Sequence, residues 1–145
     1  MGACIGVSFA LKLIERAPGR VRAAVLQQPV GVTNDNRDLY EQMWRSWAEG
    51  PTVRSRFSAG EIEAFGQAMW RGDFVLSVSR GFVKECVTPL LVLPGTDKYH
   101  PPETAHEIAA VSRHALVIEP WKGSAENLDT AAQAIHNFFE HHAQP

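Results

Sequence analysis

The chain is constrained most by a repeated pattern. A short apolar run closes at proline or glycine, and a stretch with helical spacing follows. VRAAVLQQ at residues 21–28 meets Pro29 and Gly31, LLVL at 90–93 meets Pro94 and Gly95, and ALVIE at 115–119 meets Pro120. Each run has the length of a strand, and the breakers stop it from continuing as a helix. An unbroken apolar run suits a strand buried on both faces, as in a parallel sheet. Between the runs the spacing is helical. Ile5, Phe9, Leu13 and Ala17, widened by Ala10 and Ile14, predict an inward stripe that ends at Pro18–Gly19. Ala105, Ile108, Ala109 and Val111 follow Pro101–Pro102, where proline is tolerated at a helix start. Leu128, Ala131, Ile135 and Phe138 predict a closing helix over 127–141. Strands joined by helical crossovers predict an α/β fold with a short parallel sheet and helices on both faces, a three-layer αβα arrangement.

Residues 35–83 have a different texture and predict a helical insert. Leu39, Met43, Trp44 and Trp47 have helical spacing, and Ser58 sits three residues before Glu61 like a helix cap. Ile62, Phe65 and Met69 continue that second helix, and Gly72–Asp73 punctuates it. Residues 74–83 read as a third helix on the repeat of Phe74, Val78 and Phe82.

Composition bounds the remaining possibilities. With 145 residues the chain reads as one domain, residues 1–145, with the helical lid at 35–83. A net charge of -2 argues against a nucleic-acid partner. No apolar run is long enough for a membrane span and no signal-peptide pattern appears, so a cytoplasmic protein is expected. Cys4 and Cys86 are too few for a disulfide framework. The histidines form no metal cluster with the acids, and no phosphate or dinucleotide glycine motif is present, so neither metal nor cofactor is expected.

The order of segments resembles the C-terminal half of an α/β-hydrolase. GACIG at 2–6 looks like the nucleophile elbow with Cys4 in the serine's place, as in dienelactone-hydrolase-like members. VRAAVLQQPVG looks like the sixth strand, TPLLVLPGTD at 88–97 like the seventh with the acid Asp97 at its end, and ALVIEPW like the eighth. The resemblance implies a truncated α/β-hydrolase fold whose ancestral activity is hydrolysis of an ester, lactone or other small acyl substrate through a cysteine nucleophile. The family's histidine follows the eighth strand, but the corresponding PWKGSAEN at 120–127 has none. His100, three residues past Asp97, is the candidate for a substitute base, against its reading as a surface loop residue before Pro101–Pro102. The first five strands, and with them one oxyanion donor, have no counterpart, so impaired turnover is expected. A noncatalytic binding or structural module is the alternative.

Each site residue carries two readings. Cys4, at a helix N-terminus between small residues, is either a thiolate-favoured nucleophile or a small buried hydrophobe. The N–H of Ile5 offers half of an oxyanion hole. Asp97 is either the acid that orients a histidine or a turn aspartate bonding its own backbone. His100 is either the displaced base or a surface loop residue. Trp44, Trp47 and Trp70 either line an acyl pocket or form the core of the lid. Arg54, Arg56, Arg71 and Arg80 suit an anionic ligand or a solvated surface. An uncovered strand over 21–28 would be an open edge, so a homo-oligomer is expected.

Overall fold

The computed structural model describes residues 1–72 and 74–143. In chain order its elements are β1 (Gly2–Ala3), α1 (Ile5–Arg16), β2 (Ala24–Gln27), α2 (Arg37–Ala48), α3 (Pro51–Arg54), α4 (Ala59–Met69), α5 (Arg80–Glu85), β3 (Leu90–Leu93), α6 (Pro102–Val111), β4 (Ala115–Val117) and α7 (Ala125–Ala143). The four strands form one parallel sheet in the order β1-β2-β3-β4. The predicted strands are therefore present, with β1 as a fourth.

Strand alternation divides the core into two faces. Leu26, Leu90 and Val92 point to one side, where they meet Val7, Leu11 and Ile14 of α1, Ala105 and Ile108 of α6, and Phe74. Val25, Leu91 and Leu93 point to the other side, against Trp121 and against Ala131 and Phe138 of α7. All four residues of β3 are buried, as a central parallel strand requires. The three-layer fold follows from this two-faced burial.

Several sequence expectations are corrected. The buried stripe of α1 is Val7, Ser8, Leu11 and Ile14, whereas Phe9 and Leu13 are about half exposed. The helix is rotated because the sheet accepts the face beginning at Val7. The 21–28 strand is not an open edge, because Gly2 and Ala3 pair with Leu26 and Gln27. The sheet's edges are β1 and β4. β4 is not a buried strand: Leu116 and Val117 are exposed. On α7, Leu128 faces solvent rather than the core. In 74–83 only the end is helical. Residues 74–78 form a bent, buried segment whose Ser77 hydroxyl donates to the Ser8 carbonyl at 2.7 Å, while the Ser8 hydroxyl donates to the Val75 carbonyl at 2.7 Å. Burial of irregular backbone demands such partners. Asp73 of the expected Gly72–Asp73 turn lies outside the described residues.

The insert has a core of its own. Ser58 and Glu61 form a reciprocal capping box at the start of α4, which fixes where that helix begins. Trp44, Ala48 and Ile62 pack together, with Trp70 alongside. Gly66 lies under the Trp44 ring, and a Cβ there would meet ring carbon Cζ2 at 2.5 Å. Alanine is the better helix former by about 1 kcal/mol. Overpacking against an aromatic ring costs about 1–3 kcal/mol. Gly66→Ala is therefore expected to lower stability in denaturant unfolding, and a stabilised variant would show that the ring yields freely.

Candidate functional site

The C-terminal ends of β1, β2 and β3 lie side by side and deliver the chemically active residues to one edge. The Cys4 N–H donates to the Gln27 carbonyl at 3.0 Å, and the Gln28 N–H donates to the Leu93 carbonyl at 2.7 Å. Beyond these bonds each strand turns away. Cys4 turns at φ 54 and ψ -126, and Gln28 at φ 50, both in the region that side chains other than glycine avoid. Gly2 permits the first turn: a Cβ there would collide with the Gly6 backbone. The Cys4 side chain is exposed and caps no helix N–H. The Ile5 N–H opens α1, where amides lack intrahelical partners.

The third strand leads to Asp97 and His100. The Asp97 carboxylate accepts the backbone N–H of Tyr99 at 2.9 Å and that of His100 at 3.0 Å. His100 Nδ1 lies 3.0 Å from both carboxylate oxygens. Asp97 therefore accepts hydrogen bonds from its own turn and also lies against the imidazole of His100. Burial pushes the Asp97 carboxyl upward, but the hydrogen bonds from His100 and Tyr99 outweigh it and hold it below the ordinary 3.8. This contribution to stability is present above that ordinary value and is lost as pH falls through the lowered one. The opposite ring nitrogen, Nε2, is buried and has no hydrogen-bond partner. Gly95 makes room for the ring's backbone, because a Cβ there would collide with His100.

Tyr40 ties the insert to this edge, a role the sequence did not single out. Its hydroxyl donates to the Tyr99 carbonyl and receives the Gly31 N–H at 3.4 Å. Asn36 supports the same corner by donating to the carbonyls of Gly31 at 2.9 Å and Lys98 at 3.2 Å. The helical spacing of Tyr40 with Trp44 and Trp47 hints at burial of the ring but not at the partners of its hydroxyl. The Tyr40 pKa is pushed up from 10.0 to about 12, first by burial, with the Gly31 N–H opposing and the charges of Cys4 and Asp97 adding. Thr33, Asn34, Asp35, Thr96, Asp97 and Glu103 are among the residues around an open polar cleft of about 550 Å³ beside this corner.

The aromatic residues of the insert contact one another. Trp44 and Trp47 have ring centroids 5.2 Å apart, and Trp44 and Trp70 are 6.1 Å apart. The Trp70 indole donates to the Tyr40 carbonyl at 2.9 Å. Among the arginines, Arg71 pairs with Glu63 and Arg80 with Glu107. Among the described residues no cluster could hold a metal ion, and no helix is long and apolar enough to cross a membrane.

The fold is a three-layer α/β arrangement that resembles a truncated α/β-hydrolase fold. A solved structure it is similar to is a serine-to-alanine mutant of the meta-cleavage product hydrolase CumD from Pseudomonas fluorescens IP01, complexed with acetates. The match has a TM-score of 0.59 and 16% identity, and covers 97% of this chain and 63% of that one. No family model and no curated protein sequence matches the chain.

This likeness overturns the expected dienelactone-hydrolase-like subtype and its cysteine nucleophile. The similar structure is of a serine-type hydrolase, and nothing in the match supports a cysteine-dependent relative. Local geometry agrees with the correction. An activated thiol needs a base within hydrogen-bond reach. His100 Nε2 is unpartnered and Nδ1 is committed to Asp97, so the ring holds no proton from Cys4.

The tyrosines provide a direct check of this corner. The chain has two, Tyr40 and Tyr99. Phenolate absorbance is expected to show one titrating late, near pH 12, and Tyr40→Phe should remove that late step. The folded state holds the Tyr40 proton more tightly than the unfolded chain does. This contribution to stability is therefore complete below pH 10 and is lost as pH rises toward 12. A Tyr40 step near pH 10 would contradict the buried, bonded placement.

Proposed function

We propose that this chain is part of an α/β-hydrolase-fold protein that hydrolyses a small acyl substrate, with Asp97 and His100 acting as a general-base pair on water. The observation that carries the reading is an imidazole whose Nδ1 faces a carboxylate and whose Nε2 has no hydrogen-bond partner. Nε2 is closed off from solvent in this structure, so the step requires the loop around His100 to open and admit water. The carboxylate fixes the tautomer that leaves Nε2 as the acceptor and compensates the imidazolium that forms. Water gives its proton to Nε2 as its oxygen bonds to the acyl carbon. The developing oxyanion falls to the Ile5 N–H at the start of α1, where the helix dipole favours negative charge. Collapse of the adduct expels the alcohol oxygen, which takes the proton back from Nε2. The charges of Cys4 and Asp97 both act on the Tyr40 hydroxyl, which supports a corner shared by these groups. The acetates of the similar structure are small carboxylates of the kind such a reaction releases.

The cleft beside Asp97 would admit the substrate; Trp44, Trp47 and Trp70 lie outside its lining and pack with one another in the insert. The chain spans 63% of the length of the similar hydrolase, and turnover by this length of chain is expected to be slow. Hydrolysis of short activated esters tests the reading. His100→Gln is expected to lower kcat by about 100-fold, the low end of a general-base contribution. Asp97→Asn should lower it as well, through loss of the correct tautomer, while Cys4→Ala retains most of the rate. Turnover that disappears with Cys4→Ala and survives His100→Gln would contradict the proposal.

A further inference from the structure

The loop after β4 brings an ammonium group, rather than an imidazole, to the sheet edge. The Trp121 indole donates to the Pro94 carbonyl at 2.7 Å and anchors the loop beneath the end of β3. Asn127 donates to the Lys122 carbonyl at 3.0 Å and fixes the next residue. Lys122 Nζ then reaches back to Gln28 Oε1 at 2.6 Å, passing 5.3 Å from the Trp121 ring centroid. Gln28 is one of the two strand-end residues held at positive φ, and its neighbour Gln27 carries the carbonyl bonded by the Cys4 N–H.

The charge balance at this point is incomplete. Lys122 is half-buried, and among the described residues it has no carboxylate partner within ion-pair distance. An ammonium has three donors, and Gln28 Oε1 takes one. The Gln28 amide nitrogen adds two more donors at the same place. A partly desolvated cation beside an amide donor is most stable when an anion completes it. Strained turns that persist at strand ends mark places where the surrounding structure fixes a functional group.

We propose that Lys122 and Gln28 form an anion subsite at the sheet edge, which takes a carboxylate carried by the acyl substrate or released from it. This deepens the hydrolase reading and rests on it for the identity of the ligand. Lys122 Nζ would supply the charge and Gln28 Nε2 the second hydrogen bond, giving a two-point contact. Neutral acyl compounds would lack this anchor.

Acetate is the probe, titrated into the whole chain at constant ionic strength with chloride as the balancing anion. Side-chain NMR signals of Lys122 and Gln28 are expected to move saturably with acetate. Lys122→Met should abolish the shift at Gln28, and Lys122→Arg should retain it. Lys122→Gln serves if the methionine variant does not fold. In His100→Gln, acetate binding should persist even if hydrolysis stops, so failure of the subsite and failure of the catalytic reading give different results. Linear, unsaturated shifts, shifts equal to those with chloride, or an unchanged Gln28 response in the Lys122 variants would overturn the subsite.

Discussion

The parallel ladder between β2 and β3 carries the rest of the molecule. Ala24 faces Leu90 and the register continues to Gln27 opposite Leu93, so both strands finish at the same level. Seven of these eight residues are buried, and they feed both cores. Slipping the register by one residue would invert which face each side chain occupies. It would also displace Gln28 relative to Pro94, and with it every group of the proposed site. The chemistry at the edge therefore depends on apolar packing several residues away. No charged contact at the site needs to be strong, and exposed pairs such as Asp97–His100 add little to stability.

Two turns convert this ladder into a site. Cys4 and Gln28 leave neighbouring strands at positive φ, each costing about 1–3 kcal/mol for a residue with a side chain. The backbone bonds that precede them, from Cys4 to Gln27 and from Gln28 to Leu93, hold both turns in place. The first turn starts α1 and presents the Ile5 N–H, and the second turns the Gln28 side chain toward Lys122. The insert closes the remaining side through Tyr40, whose hydroxyl holds the loop carrying His100 by its Tyr99 carbonyl.

The sheet was legible because its strands are continuous apolar runs bounded by breakers, and nothing local competes with that signal. The rotation of α1 was less legible. Phe9 and Leu13 form a good apolar stripe on their own, and only the sheet decides that the Val7, Leu11 and Ile14 face is buried instead. Residues 74–78 repeat at four and imitate a helix, yet tertiary hydrogen bonds to Ser8 hold them in a bent form. At the site, Asp97 and His100 were visible because their spacing lets one turn join them. Cys4 was visible as a turn residue, but the chemistry assigned to it came from a resemblance that the structural match does not support. Tyr40 and Lys122 depend on long-range contacts, to Tyr99 and Gln28, which no local pattern encodes.

The account turns on which nitrogen of His100 is free. Asp97 facing Nδ1 requires the proton to sit there and leaves Nε2 as the acceptor. A long-range proton–nitrogen NMR spectrum of the histidines, recorded above neutral pH in the whole chain, reads this directly. The account predicts the Nδ1–H tautomer for His100, lost or mixed in Asp97→Asn. A His100 signal with the proton on Nε2, unchanged by Asp97→Asn, would contradict it.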